Sequence, residues 1–203
     1  MKKRLVAFGC GNTYGHGLVD CITEDWRAGP VPSKNAWPSL LASKLDLICV
    51  NAGIPGASVK EIWHKIIYFD FEEDDTVIIM WPDRSRWCIF KDNNEIFQIS
   101  NQLSNKVSKT FYSYLNNPND RLIELNLYMS HVHLLLTQKN VKNYHLNFSF
   151  FNFVQESYND SEVIKLSIEE LKNQYPLAKD KIHPGALAHE AFATQLHIIL
   201  DTK

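Results

Sequence analysis

Three short apolar runs constrain this chain most: RLVAF at 4–8, LICVN at 47–51 and TVIIMW at 76–81, each followed by glycine, proline or polar residues. Runs without polar alternation suit strands covered on both faces, as in a parallel sheet. A fourth run spans Tyr144–Phe150. Between and after them lie helical patterns at 37–45, 57–67, 121–138 and 185–200, with apolar residues in 121–138 recurring at three- and four-residue steps. Strands alternating with helices predict an α/β fold, a three-layer α/β/α sandwich with a mostly parallel sheet.

At 203 residues the chain fits a single domain spanning 1–203, with the Asn-, Ser-, Lys- and Gln-rich stretch 91–119 read as an insertion over the sheet's carboxyl edge. The turn NNPND at 116–120 offers Asn119 or Asp120 to cap the helix that follows. A formal net charge of -2 gives no general attraction to nucleic acid or to anionic membranes. Cys10, Cys21, Cys49 and Cys88 form no C-x-x-C pair, which suggests reduced thiols in a cytosol-like compartment. The basic start MKKR precedes an apolar stretch too short for a secretory signal, and no run approaches the ~20 residues that span a bilayer. The expectation is a soluble protein, cytoplasmic or otherwise, with no signal peptide and no membrane insertion.

In a parallel sheet the loops after the strand carboxyl ends share one rim, where ligands bind. That rim would gather GCGNTYGHG at 9–17, NAGIPGAS at 51–58, WPDRSRW at 81–87 and DKIHPG at 180–185. Asp180 and His183 are three residues apart in a turn, so the carboxylate can accept a hydrogen bond from the imidazole and fix its tautomer. This is the base-and-orienter half of a hydrolytic triad.

In these blocks and their order the chain resembles the SGNH or GDSL hydrolase family over nearly its full length. Gly9-Cys10-Gly11-Asn12-Thr13 matches G-D-S-x-T, Gly53 matches the glycine that supplies an oxyanion N–H, and Trp81-Pro82-Asp83-Arg84 falls on G-x-N-D. Asp180, His183 and Pro184 match D-x-x-H-P in full. The resemblance implies hydrolysis of an O-acyl ester, with a small-molecule or acetylated carbohydrate ester as partner and no cofactor. It assigns His183 as base, Asp180 as its orienter, and the N–H groups of residues 11 and 53 as oxyanion donors. Two signature side chains differ. Gly11 stands where the nucleophilic serine belongs, and Asp83 stands where an asparagine would donate, which an ionised carboxylate cannot do.

Three explanations of Gly11 stay open: a pseudo-enzyme that binds an ester or sugar without cleaving it, an introduced change in an active enzyme, or a water beside Gly11 activated by His183. Cys10 is one position early for a substitute nucleophile, since neighbours on an extended segment face opposite sides. Thr13 is expected to hydrogen-bond the turn. Arg84 and Arg86 could hold a carboxylate, phosphate or sugar oxygen, and Trp81, Trp87, Tyr14 and His16 are expected around the mouth, where flat side chains suit sugar faces. His189 reads as structural. On a helix, His131 and His133 would point about 200° apart and so cannot share one metal, and no metal site is expected. A rival reading, a nucleotide-binding module on Gly9, Gly11 and Gly15, needs a helix to start at once, where Gly15 and Gly17 would each cost about 1 kcal/mol relative to alanine.

Overall fold

The computed structural model describes residues 2–92, 95–101, 103, 105–147 and 163–202. Strand β1 (Arg4–Phe8) pairs in parallel with β2 (Ile48–Asn51) on one side and β3 (Thr76–Trp81) on the other. Beyond β3 lie β6 (Lys142–Asn147) and β7 (Val163–Ile164), also parallel, so the five strands run β2-β1-β3-β6-β7. The helices are α1 (Gly11–Tyr14), α2 (Trp37–Lys44), α3 (Val59–Ile67), α4 (Lys106–Tyr114), α5 (Pro118–Gln138), α6 (Ile168–Lys172) and α7 (Ala186–Asp201).

Alternation along the strands builds a core on each face. Leu5, Ala7, Ile78 and Met80 pack with Trp37 and Leu41 of α2 and Phe192 and Leu196 of α7. Val6, Phe8, Val77, Ile79 and Trp81 pack with Ile62 and Ile66 of α3 and Leu125, Met129 and Val132 of α5. Helices therefore cover both sides of a parallel sheet, the expected three layers.

The amino end of β1 is anchored by charge. Arg4 donates from Nε and Nη2 to both oxygens of Asp75, at 2.7 and 2.6 Å, and Nη1 lies 2.7 Å from Glu72. Asp75 is buried, so the two-pronged guanidinium supplies the partner that its carboxylate needs.

The segment 91–119 holds more regular structure than its composition suggests. Strand β5 (Ile96–Ile99) pairs antiparallel with β4 (Trp87–Phe90) in a separate two-stranded sheet, and α4 follows. Gln98 of β5 donates to the carbonyl of Pro55 and to the buried Glu61, which ties this hairpin to the loop after β2. The cap of α5 is Asn117 rather than Asn119 or Asp120: its side chain accepts from both of their N–H groups, and Pro118 takes the first helical position. The fourth apolar run enters the sheet at Lys142, two residues early, and 148–150 lie outside the described residues. No described helix is long and apolar enough to cross a membrane.

Two imidazoles are sealed in the interior. His145 Nδ1 accepts the Trp81 indole N–H at 3.0 Å, and His189 Nδ1 accepts the backbone N–H of Trp37 at 3.1 Å. Burial pushes both pKa values down to about 3. Unfolded histidines near 6.5 take up protons that the folded state refuses, so stability should fall as the pH drops below about 6.5. Each group contributes up to about 1.4 kcal/mol per pH unit over that range. Urea midpoints at pH 7.5, 6 and 5, above most carboxylate titration, should decline in that order. A flat profile would contradict neutral burial.

Candidate active site

Past Phe8 the chain turns over the sheet's rim. Cys10 takes an extended conformation as the N-cap, and Gly11–Tyr14 make one helical turn that Gly15 ends in the left-handed region at φ 84°. A helix starts at once after the first strand but lasts a single turn, because the glycines that the sequence places at 15 and 17 stand where it would continue. Gly17, at φ 89°, is also left-handed, and a Cβ there would lie 2.6 Å from Asp180 Oδ2. The sharp exit from α1 and the seat of Asp180 therefore both require bare backbone.

The turn before α7 presents Asp180 and His183. Asp180 Oδ1 accepts the N–H groups of Ile182 and His183 at 2.9 and 3.0 Å, while Oδ2 meets His183 Nδ1 at 2.5 Å. Burial pushes the Asp180 pKa up, yet these hydrogen bonds and the imidazole outweigh it and hold it below the usual carboxylate range. For His183 burial wins. Its pKa is lowered despite the Asp180 bond and charge, with His16 and Arg86 adding to the drop. A carboxylate can only accept here, so Nδ1 carries the proton and Nε2 keeps a lone pair at neutral pH.

That lone pair faces the first loop. A Cβ built on Gly11 would sit 3.1 Å from His183 Nε2 and 3.5 Å from His16 Cβ. Gly11, Asp180 and His183 are thus brought together, and Arg86 is close enough for its charge to act on His183. Arg84 sits partly exposed in the same turn after β3.

Other expected site residues are placed differently. Gly53 is buried, and its N–H donates to Asn51 Oδ1 at 3.0 Å rather than standing free for an oxyanion. It is glycine because a Cβ would fall 2.7 Å from the Tyr14 nitrogen. Asn51 also donates to the Thr13 carbonyl at 2.7 Å, so one amide clamps β2 to α1. Asp83 Oδ1 accepts the Ser85 N–H at 2.7 Å, an Asx turn that uses the carboxylate locally. Tyr14 and Trp81 are not mouth aromatics. Tyr14 is buried with its hydroxyl on the Gly29 carbonyl at 2.7 Å, and Trp81 is fully buried on His145. Trp87 stacks on Phe111 with the Arg121 guanidinium over its ring at 3.7 Å.

Cys10 points into the core shared with Ala52 and Ile62. The Thr13 hydroxyl is buried with no hydrogen-bond partner among the described residues, so the turn is held by the Thr13 carbonyl instead. His131 accepts from Trp63 Nε1 at 2.7 Å, whereas His133 lies by Asn143. Sequence reasoning missed Glu169 of α6, which accepts from Asn12 Nδ2 at 2.9 Å and steadies α1 from across the chain; no local signal marks it.

Comparison with solved structures relates this arrangement to known proteins. A G-D-S-L family lipolytic protein from Desulfitobacterium hafniense DCB-2 superposes with a TM-score of 0.60 at 11% identity, covering 97% of this chain and 98% of the other. The chain has the SGNH/GDSL hydrolase fold. The acetyl xylan esterase Est2A from Butyrivibrio proteoclasticus gives 0.62 at 12% identity, covering 98% of this chain and 64% of that one. A family two carbohydrate esterase from Clostridium thermocellum, in complex with cellohexaose, gives 0.57 at 10% identity, over 98% of this chain and 64% of the other. The chain thus spans about two thirds of those carbohydrate esterases. No protein-family model matches the sequence, and no curated protein matches it.

Asp180 raises the His183 pKa through its hydrogen bond and its charge, against burial. Asp180→Asn removes the charge, so the His183 midpoint should fall further below 6.5, read by NMR titration of the imidazole. A midpoint at or above that of the parent chain would contradict the pairing. Gly17→Ala, which drives a methyl group into the carboxylate, should disturb the same titration without any change of charge.

Proposed function

We propose that the rim around Gly11 and His183 is an O-acyl ester site of SGNH type, impaired in hydrolysis because Gly11 stands in the place of the attacking hydroxyl. One observation carries this reading: the Asp180-oriented His183 ends with Nε2 3.1 Å from the position of a Cβ on Gly11. A chance pairing of histidine and aspartate would have no reason to aim its free nitrogen at the turn after the first strand. An acetylated carbohydrate is the favoured substrate class, supported by the fold's likeness to an acetyl xylan esterase and to a carbohydrate esterase.

With serine at position 11, Oγ would attack the ester carbonyl while Nε2 takes its proton. The imidazolium, stabilised by Asp180, would then protonate the departing alkoxide, and water would release the acyl group by the same route. A Cβ at 3.1 Å needs the imidazole to yield by a few tenths of an ångström, and the His183 side chain, 21% exposed, has solvent on one side into which to yield. The Gly11 N–H opens a helical turn, where it has no intrahelical acceptor, and would remain as oxyanion donor.

A second reading, a non-catalytic carbohydrate- or ester-binding protein, is favoured by Gly53 and Asp83. The N–H of Gly53 is already engaged, and Asp83 brings a carboxylate where a donor is needed, so two oxyanion contacts are weakened together. In that case His183 Nε2 would accept a hydrogen bond from a ligand hydroxyl.

Gly11→Ser should raise hydrolysis of a small aryl acetate by on the order of 10³-fold over the parent chain, and His183→Ala in that background should remove the gain. Because the His183 pKa is lowered, the base is neutral above a midpoint below 6.5, so kcat/KM should stay level at neutral pH and decline only on the acid side. No gain, even with Asp83→Asn added, would overturn the hydrolase reading and leave the binding one.

A further inference from the structure

We infer that His16 is a positioning residue for His183: its ring, tilted against the imidazole face, fixes the plane of the ring that Asp180 holds by one edge, and ties that plane to the turn at 23–27. This rests on the reading of Asp180 and His183 as the working pair. A single hydrogen bond at Nδ1 fixes one atom and one direction, yet it leaves the ring able to tilt about that bond. Something must bear on the face. The His16 ring does so, with centroids 4.5 Å apart and planes inclined by 32°.

His16 is itself held from behind. Its Nε2 lies 3.3 Å from the Trp26 carbonyl, and since a carbonyl only accepts, Nε2 is the protonated nitrogen. Trp26 adopts φ 63°, a left-handed conformation uncommon for a bulky residue, and sits in a turn closed by its own hydrogen bonds. The Trp26 N–H reaches the Thr23 carbonyl at 3.1 Å, the Thr23 N–H donates to the Arg27 carbonyl at 3.0 Å, the Arg27 N–H donates to the Thr23 hydroxyl at 3.1 Å, and that hydroxyl donates to Asp25 at 2.5 Å. This self-contained turn presents one carbonyl to His16, and His16 presents one face to His183. Left-handed Gly15 and Gly17 on either side of His16 turn its ring toward the dyad rather than into a continued helix.

The stack also sets the electrostatics of the base. The groups that act on His183 are Asp180 from its own turn, Arg86 from the turn after β3 and His16 from the first loop, and His183 in turn acts on the buried His189 of α7. Of these, Asp180 favours the imidazolium, while Arg86 and His16 disfavour it. Removing His16 opens one face of the ring to water and deletes an imidazole that disfavours the imidazolium of His183. Both changes favour the protonated form.

The test is an NMR titration of the full chain that follows the His183 ring carbon signals and the low-field Nδ1 proton bonded to Asp180. His16→Ala should raise the His183 midpoint by about half a pH unit or more and broaden or abolish the low-field proton. His16→Phe keeps a flat ring against the face but removes the imidazole that disfavours protonation of His183, so it should retain the low-field proton and raise the midpoint by less. Far-UV circular dichroism checks the fold, and if the alanine variant does not fold, the phenylalanine variant decides through its midpoint. An unchanged midpoint and an unchanged low-field proton in the folded variants would overturn the inference. Neither readout depends on turnover, so an inactive Gly11→Ser variant would overturn the hydrolase reading alone.

Discussion

Strand β1 is hydrogen-bonded along both flanks, and its side chains are divided between two cores. Nothing on it is free to meet a ligand until the chain passes Phe8. Because the neighbouring strands run the same way, the loops after β1, β2 and β3 emerge at one edge, and the turn before α7 joins them. The location of the candidate site follows from this two-sided burial before any particular side chain is considered.

Close approach of bare backbone then shapes the rim. Gly17 admits the Asp180 carboxylate, Gly53 lets the second loop touch Tyr14, and Gly15 stops α1 after one turn. A carboxylate set this deep would be costly alone; two backbone N–H groups and an imidazole keep it ionised. The same burial that threatens Asp180 favours neutral His183, so a single environment gives the carboxylate and the imidazole their separate states.

Local patterns in the sequence carried most of the fold. The runs at 4–8 and 76–81 coincide with β1 and β3 because strands buried on both faces leave no polar interruption. The start of β6 was hidden by Lys142 and Asn143, which are polar although they lie in the sheet. The hairpin of β4 and β5 was hidden by its short strands and polar surroundings. At the site, Asp180 and His183 were legible because their contact spans three residues. The packing of His16 on His183, of Gly17 on Asp180 and of Glu169 on Asn12 joins distant segments and leaves no local mark. Tyr14 and Trp81 misled because an aromatic near the sheet's rim satisfies its polar atom internally as readily as at a mouth.

The ion pair of Arg4 with Asp75 secures the opposite end of β1 from Gly11. Anchorage and the candidate site therefore occupy separate poles of one strand. Exchange of the upper loops for segments grafted from elsewhere would leave the guanidinium clasp intact, which makes this frame a tolerant chassis for re-lining with other specificities.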